Sequence, residues 1–137
     1  MPRLEFSHRN RYGSNATGIA LPIVLNNGVK TVELLASVDT GASNCLFERA
    51  HGEVLNLEIE EGEPKMFWTA TGHVEAFGHV VQIEFADLSV ESTAHFFADE
   101  RIHKNLLGRT GWLDRLRLGL VDHDSILYLA PYDLPSQ

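Results

Sequence analysis

Short runs of alternating apolar and polar residues, broken at brief intervals by Gly, Asn, Asp and Pro, dominate this chain. Alternation with period two marks half-buried strands. Ile19, Leu21, Ile23 and Leu25 form the first clear run. Pro22 inside it cannot donate to a ladder, which predicts an edge position. Asn26-Asn27-Gly28 supplies a hairpin turn, because Asn and Gly tolerate positive φ. The return strand is predicted over 30–38, with Val32, Leu34, Ala36 and Val38 on one face. Two aromatic-rich arms around Thr71-Gly72 predict a second hairpin with a small, mobile tip. Val81, Ile83 and Phe85 alternate again, as do Val90, Ser92, Ala94 and Phe96 beyond a turn at Asp87. Leu116, Leu118 and Leu120 form a last hairpin with 126–129, turning at Asp122-His123-Asp124-Ser125.

Helical spacing is rare. Leu46, Ala50 and Val54 recur every four residues and predict a short helix within 46–57, which Gly52 weakens by about 1 kcal/mol. A second short helix is expected near 111–115. Residues 1–18 read as a polar arm, with an edge strand around Leu4 and Phe6 and a loop through Tyr12-Gly13-Ser14-Asn15. Residues 131–137, opening on Pro131, read as a tail. The main unit is therefore placed at 19–130, and its pattern predicts a mainly β barrel or sandwich.

The chain has 137 residues, 44% of them apolar and 22% charged, enough for one core but not for two lobes. A net charge of -8 argues against a nucleic-acid partner, since Arg3, Arg9 and Arg11 make only a small basic patch. A single cysteine, Cys45, rules out an intrachain disulfide and reads as a packing residue, with no His patterned beside it. No apolar run has signal-peptide or membrane-spanning length, so a cytoplasmic protein without membrane contact is expected. The seven histidines show no metal-binding spacing, and neither metal nor cofactor is expected.

One stretch carries chemistry. Val38-Asp39-Thr40-Gly41-Ala42-Ser43 delivers a carboxylate at the end of an apolar strand and then turns at small residues. A strand fixes such a group on a rigid element. Gly41 admits close backbone approach, Thr40 can brace the loop, and Ser43 and backbone N–H groups can orient the Asp39 oxygens. One aspartate alone is weak chemistry for amide hydrolysis. Two carboxylates sharing a proton split their titrations, so one can take a proton from water while the other protonates the carbonyl oxygen. Asp-Thr-Gly occurs once here, so a pair requires a two-fold dimer.

The chain resembles the retropepsin-like aspartic proteases, the single-lobe relatives of pepsin found in retroviruses and many bacteria. Residues 38–43 look like the family's catalytic loop. Phe67 to Phe77 looks like its flap, with Thr71-Gly72 at or near the tip. Leu106-Leu107-Gly108-Arg109 looks like the apolar-apolar-Gly-Arg element before a short C-terminal helix. The resemblance implies a closed or orthogonal β-barrel with one or two short helices. It implies a homodimeric endopeptidase acting on polypeptides through a water-activating dyad. On that reading Asp39 is catalytic, Thr40 joins a brace between protomers, and Gly41, Ala42 and Ser43 meet the substrate. Thr71 and Gly72 close over it, Gly108 supports the catalytic loop, and Arg109 is structural. Two departures stand out. Residues 46–64 are longer than in compact viral members, and 116–130 reads as a hairpin where those have one terminal strand. The competing reading is an inactive peptide-binding or dimerisation module with the same barrel. A third is a latent protease whose N-terminal arm fills the cleft.

Overall fold

The computed structural model describes residues 1–13 and 18–135. Ten strands and one α-helix follow in order: β1 (His8–Arg11), β2 (Ala20–Asn26), β3 (Thr31–Val38), β4 (Leu46–Phe47), α1 (Arg49–Val54), β5 (Glu63–Thr69), β6 (Gly72–Phe85), β7 (Leu88–Phe97), β8 (Leu106–Leu107), β9 (Leu116–Val121) and β10 (Ile126–Pro131).

The larger sheet runs β2-β3-β8-β4-β7-β6-β5, and β2 also pairs with β6. Six strands thereby close into a ring, the expected barrel, and β5 hangs from β6 at its free edge. The closing contact is short, Val24 to Asn26 against Glu84 to Gln82. Pro22 lies just beyond it and pairs only with Leu35 of β3, so its missing N–H faces no partner strand. The turn at Asn26 is a longer loop than a two-residue Asn-Gly hairpin. Asn27 Oδ1 accepts the amides of Val29 (3.1 Å) and Lys30 (2.8 Å), and Gly28 takes φ 92°.

β6 is one strand of 14 residues, although its pattern reads as two. Ala76 is buried on one face, and Val81 and Ile83 on the other. The strand thus serves two cores. Val81 and Ile83 join Leu21, Leu25, Phe47, Phe96, Leu107 and Leu127 inside the ring. Ala76 joins Leu46, Phe67 and Phe97 in a smaller cluster beneath the β5–β6 hairpin. Each fully buried Phe or Leu contributes about 1.5–3 kcal/mol of transfer free energy.

The helix within 46–57 is shorter than expected. Leu46 and Phe47 pair with His95 and Phe96 as a strand, and α1 spans six residues. Gly52 is buried within it, where a β-carbon would come 2.9 Å from Phe96 Cδ1 and 2.5 Å from Ile59 Cδ1. Close packing, not propensity, selects glycine. The helix expected near 111–115 is a single 3₁₀ turn, Leu113–Arg115.

A second sheet, β1-β10-β9, contains the C-terminal hairpin. The N-terminal strand lies at His8–Arg11, not around Leu4 and Phe6. There its alternating half-buried residues pair with β10, while Phe6 packs against Tyr128 at 5.7 Å between ring centroids. The loop reading at Ser14 and Asn15, and the tail residues Ser136 and Gln137, fall outside the described residues. Leu127 and Leu129 are fully buried in the main core, so the hairpin is built into the fold. Leu129→Ala should therefore cost about 2–5 kcal/mol in urea unfolding. An unchanged midpoint would show that the hairpin is an appendage.

Candidate active site

Asp39 follows directly on the end of β3, where the backbone is fixed on both sides. Val38 N–H donates to Ile19 O (2.8 Å) and Asp39 N–H to Leu107 O (3.0 Å). The chain then turns. Ala42 N–H bonds back to Asp39 O (3.2 Å), and Gly41 N–H donates to the Asp39 carboxylate Oδ1 (2.9 Å). A β-carbon on Gly41 would lie 3.3 Å from that oxygen, so the small residue leaves room for the carboxylate. Asp39 Oδ2 has no hydrogen-bond partner among the described residues.

The loop after Asp39 is clasped by 107–110. Strands β3 and β8 run parallel, with Val38 opposite Leu107. Arg109 N–H then donates to Ala42 O (2.9 Å) and Thr110 N–H to Ser43 O (2.9 Å). Gly108 lies between these contacts. A β-carbon there would overlap the Asn44 carbonyl oxygen and come 2.8 Å from Ala42 O.

Two recesses flank the loop. The first, ≈ 440 Å³, is lined by Asp39, Gly41, Ala42 and Ser43 on one side and by residues 65–70 of the β5 arm on the other. Leu46, Phe97, Lys104 and Leu106 complete it. The second, ≈ 620 Å³, contains Thr40, Ser43, Arg109, Thr110, Leu113 and Asp114, but not Asp39. Thr40 and Arg109 thus open away from the carboxylate. Arg109 is exposed and has no side-chain partner among the described residues.

The hairpin turn is Ala70-Thr71, one residue earlier than the sequence pattern suggests. Thr69 pairs with Gly72, and Gly72 starts the return strand at φ 124°. The Thr69 hydroxyl donates to Gly72 O (2.8 Å) and accepts Thr71 N–H (3.3 Å), bracing the turn. Thr71 lines a neighbouring recess with Ile102 and Arg101, and Gly72 lines neither this recess nor the Asp39 cleft. Lys65, Lys104 and Phe97 carried no motif in the sequence, whereas the β5 arm was read as part of the hairpin over 67–77. Alternation along 65–69 was the one available signal.

Two reactive side chains are buried nearby. Cys45 is fully enclosed, and burial pushes its thiol up to about 11, so it stays protonated at neutral pH. His95 sits under the hairpin, edge-on to Phe67 at 5.3 Å. Burial, then the neighbouring Lys65 charge, lowers its pKa, and Nδ1 has no partner. Among the described residues, no group of three or more His, Cys, Asp or Glu is placed to hold a metal ion.

Glu48 ties β8 to the start of α1. Its carboxylate bonds His103 Nδ1 (2.8 Å) and accepts from Asn105 Nδ2 (2.6 Å), and Asn105 O accepts Ser37 N–H (2.8 Å). The His103 bond, then Asn105 and His51, hold the Glu48 carboxyl below its ordinary 4.5.

An aspartyl protease family model matches residues 21–110. Among solved structures, a retropepsin-like aspartic protease from Rickettsia conorii aligns with TM-score 0.57 and 20% identity, covering 81% of this chain and 89% of that one. EIAV protease complexed with the inhibitor HBY-793 aligns with TM-score 0.52 and 22% identity, covering 66% and 80%. At such identities the likeness is one of fold. No curated protein sequence matches the chain.

Two outcomes follow from this geometry. Gly108→Ala should destabilise the protein by about 3 kcal/mol, because backbone rather than a side chain must yield. A thermal melt unchanged by that substitution would refute the clasp. Glu48 has a depressed folded pKa, so its stabilisation is present above about pH 4.5 and lost as pH falls through the folded value. Glu48→Gln should lower the melting temperature near neutral pH and flatten its acid decline. Parallel pH curves for the two proteins would contradict this.

Proposed function

The chain belongs to the aspartyl protease family, and we propose that it is an endopeptidase whose catalytic dyad is Asp39 paired with Asp39 of a second copy. The observation that carries this reading is the placement of Asp39. It stands at the end of a rigid strand, on the floor of a cleft roofed by the β5 arm. Only one Asp-Thr-Gly is present, so a single copy offers half of the required pair.

The chemistry needs no cofactor. One carboxylate is ionised and its mate protonated, because two close negative charges repel. The ionised group takes a proton from water. The water oxygen attacks the carbonyl carbon as the protonated carboxyl gives its proton to the carbonyl oxygen. Collapse of the tetrahedral intermediate breaks the C–N bond, and the leaving nitrogen receives a proton from the dyad. The Gly41 amide at 2.9 Å supports this role by fixing one Asp39 oxygen.

β5 ends the larger sheet, so one edge of it is unpaired. An extended polypeptide can add to that edge as a further strand while its side chains enter the cleft. Gly41, Ala42 and Ser43 form the opposite wall, and the hairpin, turning at Ala70-Thr71 with Gly72 opening its return strand, closes over the bound chain. Thr40 and Arg109 face the second recess, which suits a brace against the other protomer. Gly108 holds the loop from behind. Residues 1–13 do not line the cleft, which favours an open site over one filled by the N-terminal arm.

Asp39→Asn should lower peptide cleavage by at least about a thousandfold while sedimentation and thermal melting stay unchanged. Full activity in that variant would remove Asp39 from catalysis. A parent protein that binds peptides yet never cleaves them would establish the binding module instead.

A further inference from the structure

The lining of the Asp39 cleft holds two cations, Lys65 and Lys104, in a chain whose net charge is -8. Lys65 Nζ donates to Asn44 Oδ1 at 3.2 Å and stands 5.4 Å from the Phe67 ring centroid. Asn44 follows directly on the Asp39 loop, so this ammonium sits beside the reacting region. Neither lysine forms an ion pair among the described residues. Their basic neighbours are already committed: Arg101 to Asp99 (2.9 Å) and His103 to Glu48 (2.8 Å). Apart from Asp39, no carboxylate lines this cleft among the described residues. The arrangement places two ammonium groups, neither in an ion pair, beside a free strand edge, with Asp39 the one carboxylate in the lining among the described residues.

We propose that the cleft selects extended peptides carrying a Glu or Asp side chain close to the scissile bond, with Lys65 and Lys104 as the groups that recognise it. This rests on the peptidase reading of the same site. An ammonium bonded only to a neutral amide oxygen can take up a carboxylate through a charge-assisted hydrogen bond. The overall negative charge does not cancel the preference. Charges beyond about 8 Å are largely screened at physiological salt, whereas a contact inside the cleft is screened much less.

The test uses Asp39→Asn, in which peptide is expected to bind without being turned over. Labelled octapeptides that differ only by Glu or Gln, walked along the sequence, are titrated by fluorescence anisotropy. At one or more positions Glu should bind about tenfold tighter than Gln, the size of one charge-assisted hydrogen bond. The advantage should shrink at high salt and vanish in a variant that also carries Lys65→Met and Lys104→Met. Equal affinity for Glu and Gln at every position, or no binding of either, overturns the proposal, and this comparison does not depend on the lysine variants folding. Cleavage by the parent chain separates the two readings. Cleavage indifferent to Glu or Gln overturns the acidic preference and leaves the peptidase standing. Glu-dependent binding without any cleavage supports the preference and removes the peptidase.

Discussion

Position 108 can carry no side chain. The carbonyls of Ala42 and Asn44 occupy the space a β-carbon would need, and the amides of Arg109 and Thr110 bond the same loop within two residues. This crossing of two backbones, far apart in sequence, fixes where Asp39 stands. Side chains can repack around a changed neighbour, but a main-chain carbonyl held in a ladder has little freedom to move. The ring of strands therefore acts as a frame whose tightest contact lies directly behind the candidate catalytic group. The cleft in front of it is bounded by a hairpin whose Phe67 and Ala76 cluster with Leu46 and Phe97. Rigidity behind the carboxylate suits a group that must hold one position.

The second constraint is arithmetic. One copy of the chain supplies one carboxylate, one arm of β5 and one pair of unpaired lysines. A dyad doubles each of these around a two-fold axis. Thr40 and Arg109 open onto a recess separate from the Asp39 cleft, and both are exposed in the single chain. Both therefore stand on the side away from the β5 arm, the side a second copy would meet under the proposed pairing. The β9–β10 hairpin, by contrast, contributes to the core of its own chain.

Much of this was legible in the sequence, and the reasons differ by element. Period two marked β2 and β3 because each turns one face to the core, whereas β7 and β10 bury neighbouring residues on both faces at their ends. It split β6 into two, because that strand buries opposite faces on either side of Phe77. Asp39-Thr40-Gly41 and Leu107-Gly108-Arg109 were recognisable because their roles depend on backbone geometry that few residues permit. The parallel pairing of β3 with β8, and the closure of β2 on β6, depend on contacts between distant segments and left no local mark. The tip of the hairpin was misplaced by one residue, since Ala70-Thr71 and Thr71-Gly72 are both acceptable turn pairs until the register of β5 and β6 is known. Lys65 and Lys104 were invisible for another reason. A surface lysine and a cleft lysine look alike until the fold decides which wall each stands on.

If Asp39 is half of a site completed by a second copy, the two carboxylates must meet. The most direct measurement is the separation of the two Asp39 carboxylates in a crystal structure of the dimer. The expected oxygen–oxygen distance is about 2.5–3.0 Å, the range of a shared hydrogen bond. Two carboxylates held apart, with no position between them for a bound water, would contradict it.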